Sequence, residues 1–204
     1  FASTFAEKAL GLDKATGDLL CMCGFAAMLG IGRTLQTLFS HKINLNKVLI
    51  ISAASSFVCY VIAALCPLPA VSVAACALCG LCTALLWPGS AIVATEHFPL
   101  AGSWLYASLA VLGDSGAALI PFATGSFADA FQGDVASSFS SAIGVSASEG
   151  GLRLALLCAA ICPLICTFCH CLLYKRSKNN QEVYIYSNNS MKSYLLELHG
   201  NYTD

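Results

Sequence analysis

Apolar residues in this chain continue for roughly twenty positions at a time before polar residues interrupt them, and five such stretches follow one another. A membrane hydrocarbon core about 30 Å thick takes roughly 20 mostly apolar residues per helix. The first stretch covers about Asp18 to Leu38, and the second about Val48 to Leu65. The third runs from about Ala70 to Thr95, the fourth from Gly102 to Phe127, and the fifth from Gly150 to Tyr174. None keeps the sustained period-two alternation of a membrane strand. The pattern therefore predicts an all-α fold, a polytopic membrane helix bundle with five transmembrane helices. Phe1 to Leu10 reads as the end of a preceding helix cut by the start of the sequence. Residues 1–17 are then that helix end and an outside loop, 18–174 the bundle, and 175–204 a polar tail.

Composition strengthens this reading. Hydrophobic residues make up 57% of the chain, charged residues 10%, and the mean hydropathy is +0.74. Soluble domains carry about 25% charged residues. The net charge of −1 offers no clustered basic face, so nucleic acid is not an expected partner. Of the 12 cysteines, nearly all lie inside apolar runs, where Cys serves as a small hydrophobe suited to close helix packing. Cys76-x-x-Cys79-x-x-Cys82 superficially matches part of an iron–sulfur ligand run, but lacks the fourth Cys and its following Pro. Packing is the preferred explanation, and no metal or other cofactor is expected. No nucleophile–base motif, phosphate loop or zinc spacing is present, so an enzyme is not expected either.

Loop charges suggest an orientation. Ser40 to Lys47 contains His41, Lys42 and Lys47, and Lys175-Arg176-Ser177-Lys178 follows the last span. Positive loops stay cytoplasmic. The stretch Ala128 to Glu149 holds Asp129, Asp134 and Glu149 without Lys or Arg, as an outside loop should; Lys8, Lys14 and Arg153 are minority charges on that side. The expectation is a multi-pass protein of the inner or plasma membrane, N-terminus outside and C-terminus cytoplasmic. The tail holds two glycosylation sequons, at Asn188 and Asn201, which an inside location makes irrelevant, and a candidate short helix near Met191 to Leu198.

Asp114, near the middle of the fourth span, is the leading functional candidate. A charge at the centre of a membrane helix costs about 2.5–3.5 kcal/mol on insertion scales and ordinarily marks an ion or substrate path. Ser103, Ala107, Ala110, Ala118, Pro121 and Gly125 share its helical face, while Leu105, Leu109, Leu112 and Leu119 lie opposite. The carboxyl could carry a proton, bind a cation or accept substrate hydroxyls; alternatively it pairs with another helix for assembly. Trp87-Pro88-Gly89 predicts a kink or break in the third span. Broken helices often line transporter sites, so Trp87 and Pro88 join Asp114 as candidate pathway residues, with a simple packing kink as the alternative. Arg33 ends the first span, where it would snorkel to the interface. With Glu96 it forms a candidate cytoplasmic gate pair.

Taken in order, Phe5-Ala6-Glu7-Lys8-Ala9-Leu10-Gly11, Gly17-Asp18-Leu19-Leu20, Gly30-Ile31-Gly32-Arg33, Lys42-Ile43-Asn44-Leu45, Trp87-Pro88-Gly89 and Gly113-Asp114-Ser115-Gly116 resemble the C-terminal half of a major facilitator superfamily transporter. The nearest members are bacterial and fucose-permease-like, and the resemblance covers about residues 1 to 175. It implies that the five spans are helices eight to twelve of twelve. The first basic loop would occupy the place of a Gly-x-x-x-Asp-Arg signature, with Thr37, His41 and Lys42 at its defining positions. It further implies alternating access, a sugar-like or small organic substrate and symport with H+.

The functional expectation is thus a fragment of a secondary active transporter. Its partners would be the lipid bilayer, a small-molecule substrate with H+, and the missing N-terminal half of the same chain. The rival is a non-transporting membrane assembly or scaffold subunit.

Overall fold

The computed structural model describes residue 7 and residues 13–39, 44–131 and 133–178. The basic residues His41 and Lys42, the early helix end and the tail beyond residue 178 lie outside the described residues. Within them the fold is helical throughout, as the apolar pattern predicts. Two compact units divide the chain, residues 1–167 and 168–204.

The first span is assembled from three pieces: α1 (Lys14–Gly17), a π-helical stretch (Asp18–Cys23) and α2 (Gly24–Phe39). Just ahead of α1, Asp13 Oδ2 accepts the Thr16 backbone N–H at 3.1 Å. That bond occupies a helix-start donor that would otherwise be unpaired, and holds the Asp13 carboxyl below its ordinary pKa. α3 (Leu45–Leu65) starts in the same way, with Asn44 Oδ1 accepting from Lys47 N at 3.3 Å.

The third span is two helices, α4 (Pro69–Thr83) and α5 (Leu86–His97). Pro88 is the third residue of α5 and cannot donate to the carbonyl of Ala84, so the ladder has to be interrupted ahead of it. Thr83 Oγ1 loosens the same turn by bonding the carbonyls of Cys79 (2.9 Å) and Gly80 (3.3 Å). The expected break in this span therefore falls at Ala84–Leu85, one turn before the proline itself.

The fourth span is one helix, α6 (Gly102–Ala130), which carries Pro121 without breaking. The segment read as an outside loop contains a helix, α7 (Asp134–Ile143). Its Ser-rich sequence hides the periodicity, but its ends are well marked. Gly133 takes φ 82° before it and Gly144 φ 76° after it, a left-handed helix stop in which Gly144 N bonds Ser140 O at 2.9 Å. The fifth span follows as α8 (Ala147–Ala159) and α9 (residues 161–178), joined at Ala160. Residues 168–178, in the second unit, are helical and expose Phe168, Leu172 and Leu173.

In the first unit α4 packs against α2 and α3, α3 against α8, and α8 against α6 and α7. Five helices, Ala15–Phe39, Leu45–Leu65, Pro69–His97, Gly102–Ala130 and Glu149–Lys178, are long and apolar enough to cross a membrane. The distribution of side-chain size supports lipid as the solvent. Buried positions are mostly small, among them Ala53, Ala63, Ala64, Ala75, Cys79 and Ala84, while Leu38, Ile51, Leu112 and Phe122 point outward. Between helices in lipid no hydrophobic force favours large interior residues, and small ones let backbones approach. In water this much exposed apolar surface would drive aggregation.

Gly80 shows how close that approach is. A Cβ there would collide with the backbone carbonyl of Phe25 in α2. Gly30, by contrast, has open space where a Cβ would stand. Gly80→Val should therefore destabilise the bundle by at least about 3 kcal/mol, at the severe end of overpacking. Gly30→Ala should leave it unchanged or slightly more stable. Denaturant unfolding of both variants in detergent checks the contrast.

Candidate functional site

Two polar features stand out on the apolar bundle, and only one of them is legible in the sequence. The legible one is the neighbourhood of Asp114. Helix α6 buries only Thr124 and Ala128, near its C-terminal end. Its middle is open, and Asp114, Ser103, Ala107, Ala118 and Pro121 on the small-residue face are all exposed. No described residue forms an ion pair or hydrogen bond with Asp114. The break before α5 sets Trp87 on the first turn of that helix, 57% exposed and facing α6. The position a Cβ would take on Gly113 is 3.3 Å from the indole nitrogen of Trp87. The structure therefore brings Trp87 beside the residue preceding Asp114, with Pro88 behind it shaping the break. An indole face and its N–H donor next to a carboxylate can contact one small polar molecule from two sides.

Arg33 and Glu96 are both exposed, and neither forms an ion pair with a described residue. The structure does not join them. Of the cysteines, Cys59 and Cys82 bring their sulfurs to 4.0 Å and Cys79 contacts Ser56 Oγ at 3.5 Å. No group of three or more His, Cys, Asp or Glu suited to a metal occurs among the described residues.

The second feature is Arg153, whose place in the loop-charge pattern gave no hint of its role. Its side chain is completely buried. Nη1 donates to the carbonyl of Cys66 at 2.7 Å and to those of Ala63 and Ala64 at 3.4 Å each. Nε donates to Glu149 Oε2 at 3.2 Å, and the other Glu149 oxygen accepts from Ser146 Oγ at 2.7 Å. Those three carbonyls belong to the last turn and cap of α3, which has no backbone donors left for them. The same end carries the negative pole of the helix dipole, so a guanidinium fits both the geometry and the charge. Ser72 Oγ reaches the Cys66 carbonyl too, at 3.2 Å, tying the start of α4 into the cluster. The available sequence signal was the four-residue spacing of Glu149 and Arg153 on one helix face, together with the cost of leaving an arginine inside an apolar run.

No protein-family model, no curated protein and no solved structure matches the chain.

Removing the Arg153 head group takes the side-chain donor from the buried carbonyls of Ala63 and Ala64, and leaves the Cys66 carbonyl with Ser72 alone. Arg153→Met should lower the unfolding free energy by about 3–4 kcal/mol, the range for breaking a buried charge network. Glu149→Gln keeps an acceptor in place and should cost only about 1 kcal/mol. Equilibrium unfolding in detergent checks the ranking; equal stabilities for Arg153→Met and the parent protein would show that the cluster does not hold α3 to α8.

Proposed function

We propose that this chain forms part of a secondary active transporter that moves a small sugar-like or organic solute by alternating access, in the manner of the C-terminal half of a major facilitator superfamily protein. The observation that carries the proposal is the meeting of Trp87 with Gly113 beside the unpaired carboxylate of Asp114. A membrane-embedded carboxylate without a partner is costly unless it faces water, substrate or an exchanging proton. A helix broken at membrane depth beside it is the arrangement from which solute sites are built. Asp114 would exchange the coupled proton or accept substrate hydroxyls, Trp87 would stack on the solute, and Pro88 would maintain the break. Arg33 and Glu96 would approach each other only in another state of the cycle. The basic residues after the first and last spans favour a cytoplasmic C-terminus in the plasma or inner membrane.

The openness of α6 also suits a second reading, in which Asp114 meets a helix of a partner protein in a non-transporting assembly. One experiment separates the two. The chain in its full natural reading frame is expressed in cells, and substrate-driven proton uptake is measured alongside abundance at the membrane. Asp114→Asn should reduce proton-coupled uptake by more than about tenfold, equivalent to 1.4 kcal/mol, at unchanged abundance. Full uptake in the variant would remove Asp114 from the mechanism. Loss of abundance in step with uptake would favour the assembly reading.

A further inference from the structure

Cys59 of α3 and Cys82 of α4 meet across the crossing of their helices, with their sulfurs 4.0 Å apart. We propose that this pair is a site of two-electron oxidation, where a disulfide forms and clamps α3 to the end of α4 just ahead of the broken turn.

Three observations converge on this pair. A disulfide bond is about 2.05 Å long, so the sulfurs have to close by roughly 2 Å. The crossing already brings the helices near each other, since Ser56, Ala63 and Ala64 of α3 and Ser72, Ala75 and Cys79 of α4 are buried and small. The remaining movement falls where the helix ladder is interrupted: Cys82 stands two residues before Ala84, and Thr83 diverts the carbonyls of Cys79 and Gly80. Finally, Cys59 and Cys82 are both half-buried, so an oxidant dissolved in the bilayer can reach them. Cys79, on the same face of α4, is buried and its sulfur contacts Ser56 Oγ at 3.5 Å.

The oxidant class is an organic hydroperoxide, ROOH, such as a peroxidised lipid. One sulfur attacks the terminal oxygen and the O–O bond breaks; ROH departs with the thiol proton, leaving a sulfenic acid. The second sulfur attacks the sulfenic sulfur, the S–S bond forms, and water leaves with the second thiol proton. Together the two cysteines lose the two electrons that the O–O bond gains. Trp87 lies five residues beyond Cys82, across the break. The disulfide therefore restrains the turn that aims Trp87 at α6.

The test uses the full chain in nanodiscs of saturated phosphatidylcholine, with cumene hydroperoxide as the oxidant. After oxidation the remaining thiols are blocked with N-ethylmaleimide, and proteolytic peptides are compared by mass spectrometry before and after reduction with a phosphine. The peptide linking Cys59 to Cys82 should be the most abundant cysteine-linked product, and reduction should abolish it. The clamp is read in a Trp104→Phe background, which leaves Trp87 as the single tryptophan. Its fluorescence anisotropy should rise on oxidation and return on reduction, and Cys82→Ser should remove the rise. Absence of the Cys59–Cys82 peptide overturns the inference, as does a product in which Cys59 is linked equally to Cys76. A disulfide that forms with no change in Trp87 anisotropy overturns the clamp. If Cys82→Ser fails to fold, Cys59→Ser supplies the same control, and reversal by the phosphine in the Trp104→Phe protein still decides.

Discussion

The guanidinium of Arg153 sits where two groups of helices join, and each group depends on that joint. On one side α3 binds α4, and α4 binds α2; on the other, α8 carries α6 and α7. The contact between α3 and α8 connects them, and within it one side chain serves the three free carbonyls at the end of α3 while remaining paired to Glu149 on its own helix. The last carbonyls of a helix have no donors within it and must be answered from elsewhere. A planar, permanently charged donor fork can answer several together. That group ties the end of α3, and through Ser72 the start of α4, to the first turns of α8.

The rest of the bundle coheres through smallness. Alanine, glycine and cysteine at the crossings bring backbones together, and Gly80 against Phe25 is the closest of these approaches. Leucine, isoleucine and phenylalanine face outward, where lipid solvates them as well as another helix would. Against this well-packed group, α6 is lightly held. That is why Asp114 and Trp87 remain accessible while the Arg153 side chain is enclosed. A carboxylate with a structural task would be expected to show an enclosure like that of Arg153. The contrast between the two charges supports a functional task for Asp114.

The spans were legible almost to their ends because a long apolar run leaves few alternatives: in lipid the backbone must pair with itself, and the helix does so over any such length. The break in the third span was legible for a similar reason, since a missing N–H at Pro88 acts locally. α7 was not read, because its Ser-rich stretch carries no apolar stripe and is held by contact with α8. Yet Gly133 and Gly144 bracket it as helix-end glycines do, so its limits were written where its interior was not. Of the candidate site residues, Trp87, Pro88 and Asp114 lie close together. Arg33 and Glu96 do not pair, because opposite charges in a sequence carry no information on whether their helices bring them within reach.

What the sequence determined by itself is what depends on the chain's own covalent order: five apolar helices, their interruption at a proline, and a carboxylate at mid-span. These follow from solvation and backbone hydrogen bonding, which act within a few turns. What only the tertiary structure decided is which charge is enclosed and which left open, and the meeting of Trp87 with Gly113. Each depends on residues from helices distant in sequence, such as the 87 positions separating Arg153 from the Cys66 carbonyl. Distances of that kind are set by helix crossings, and no local pattern of residues encodes them.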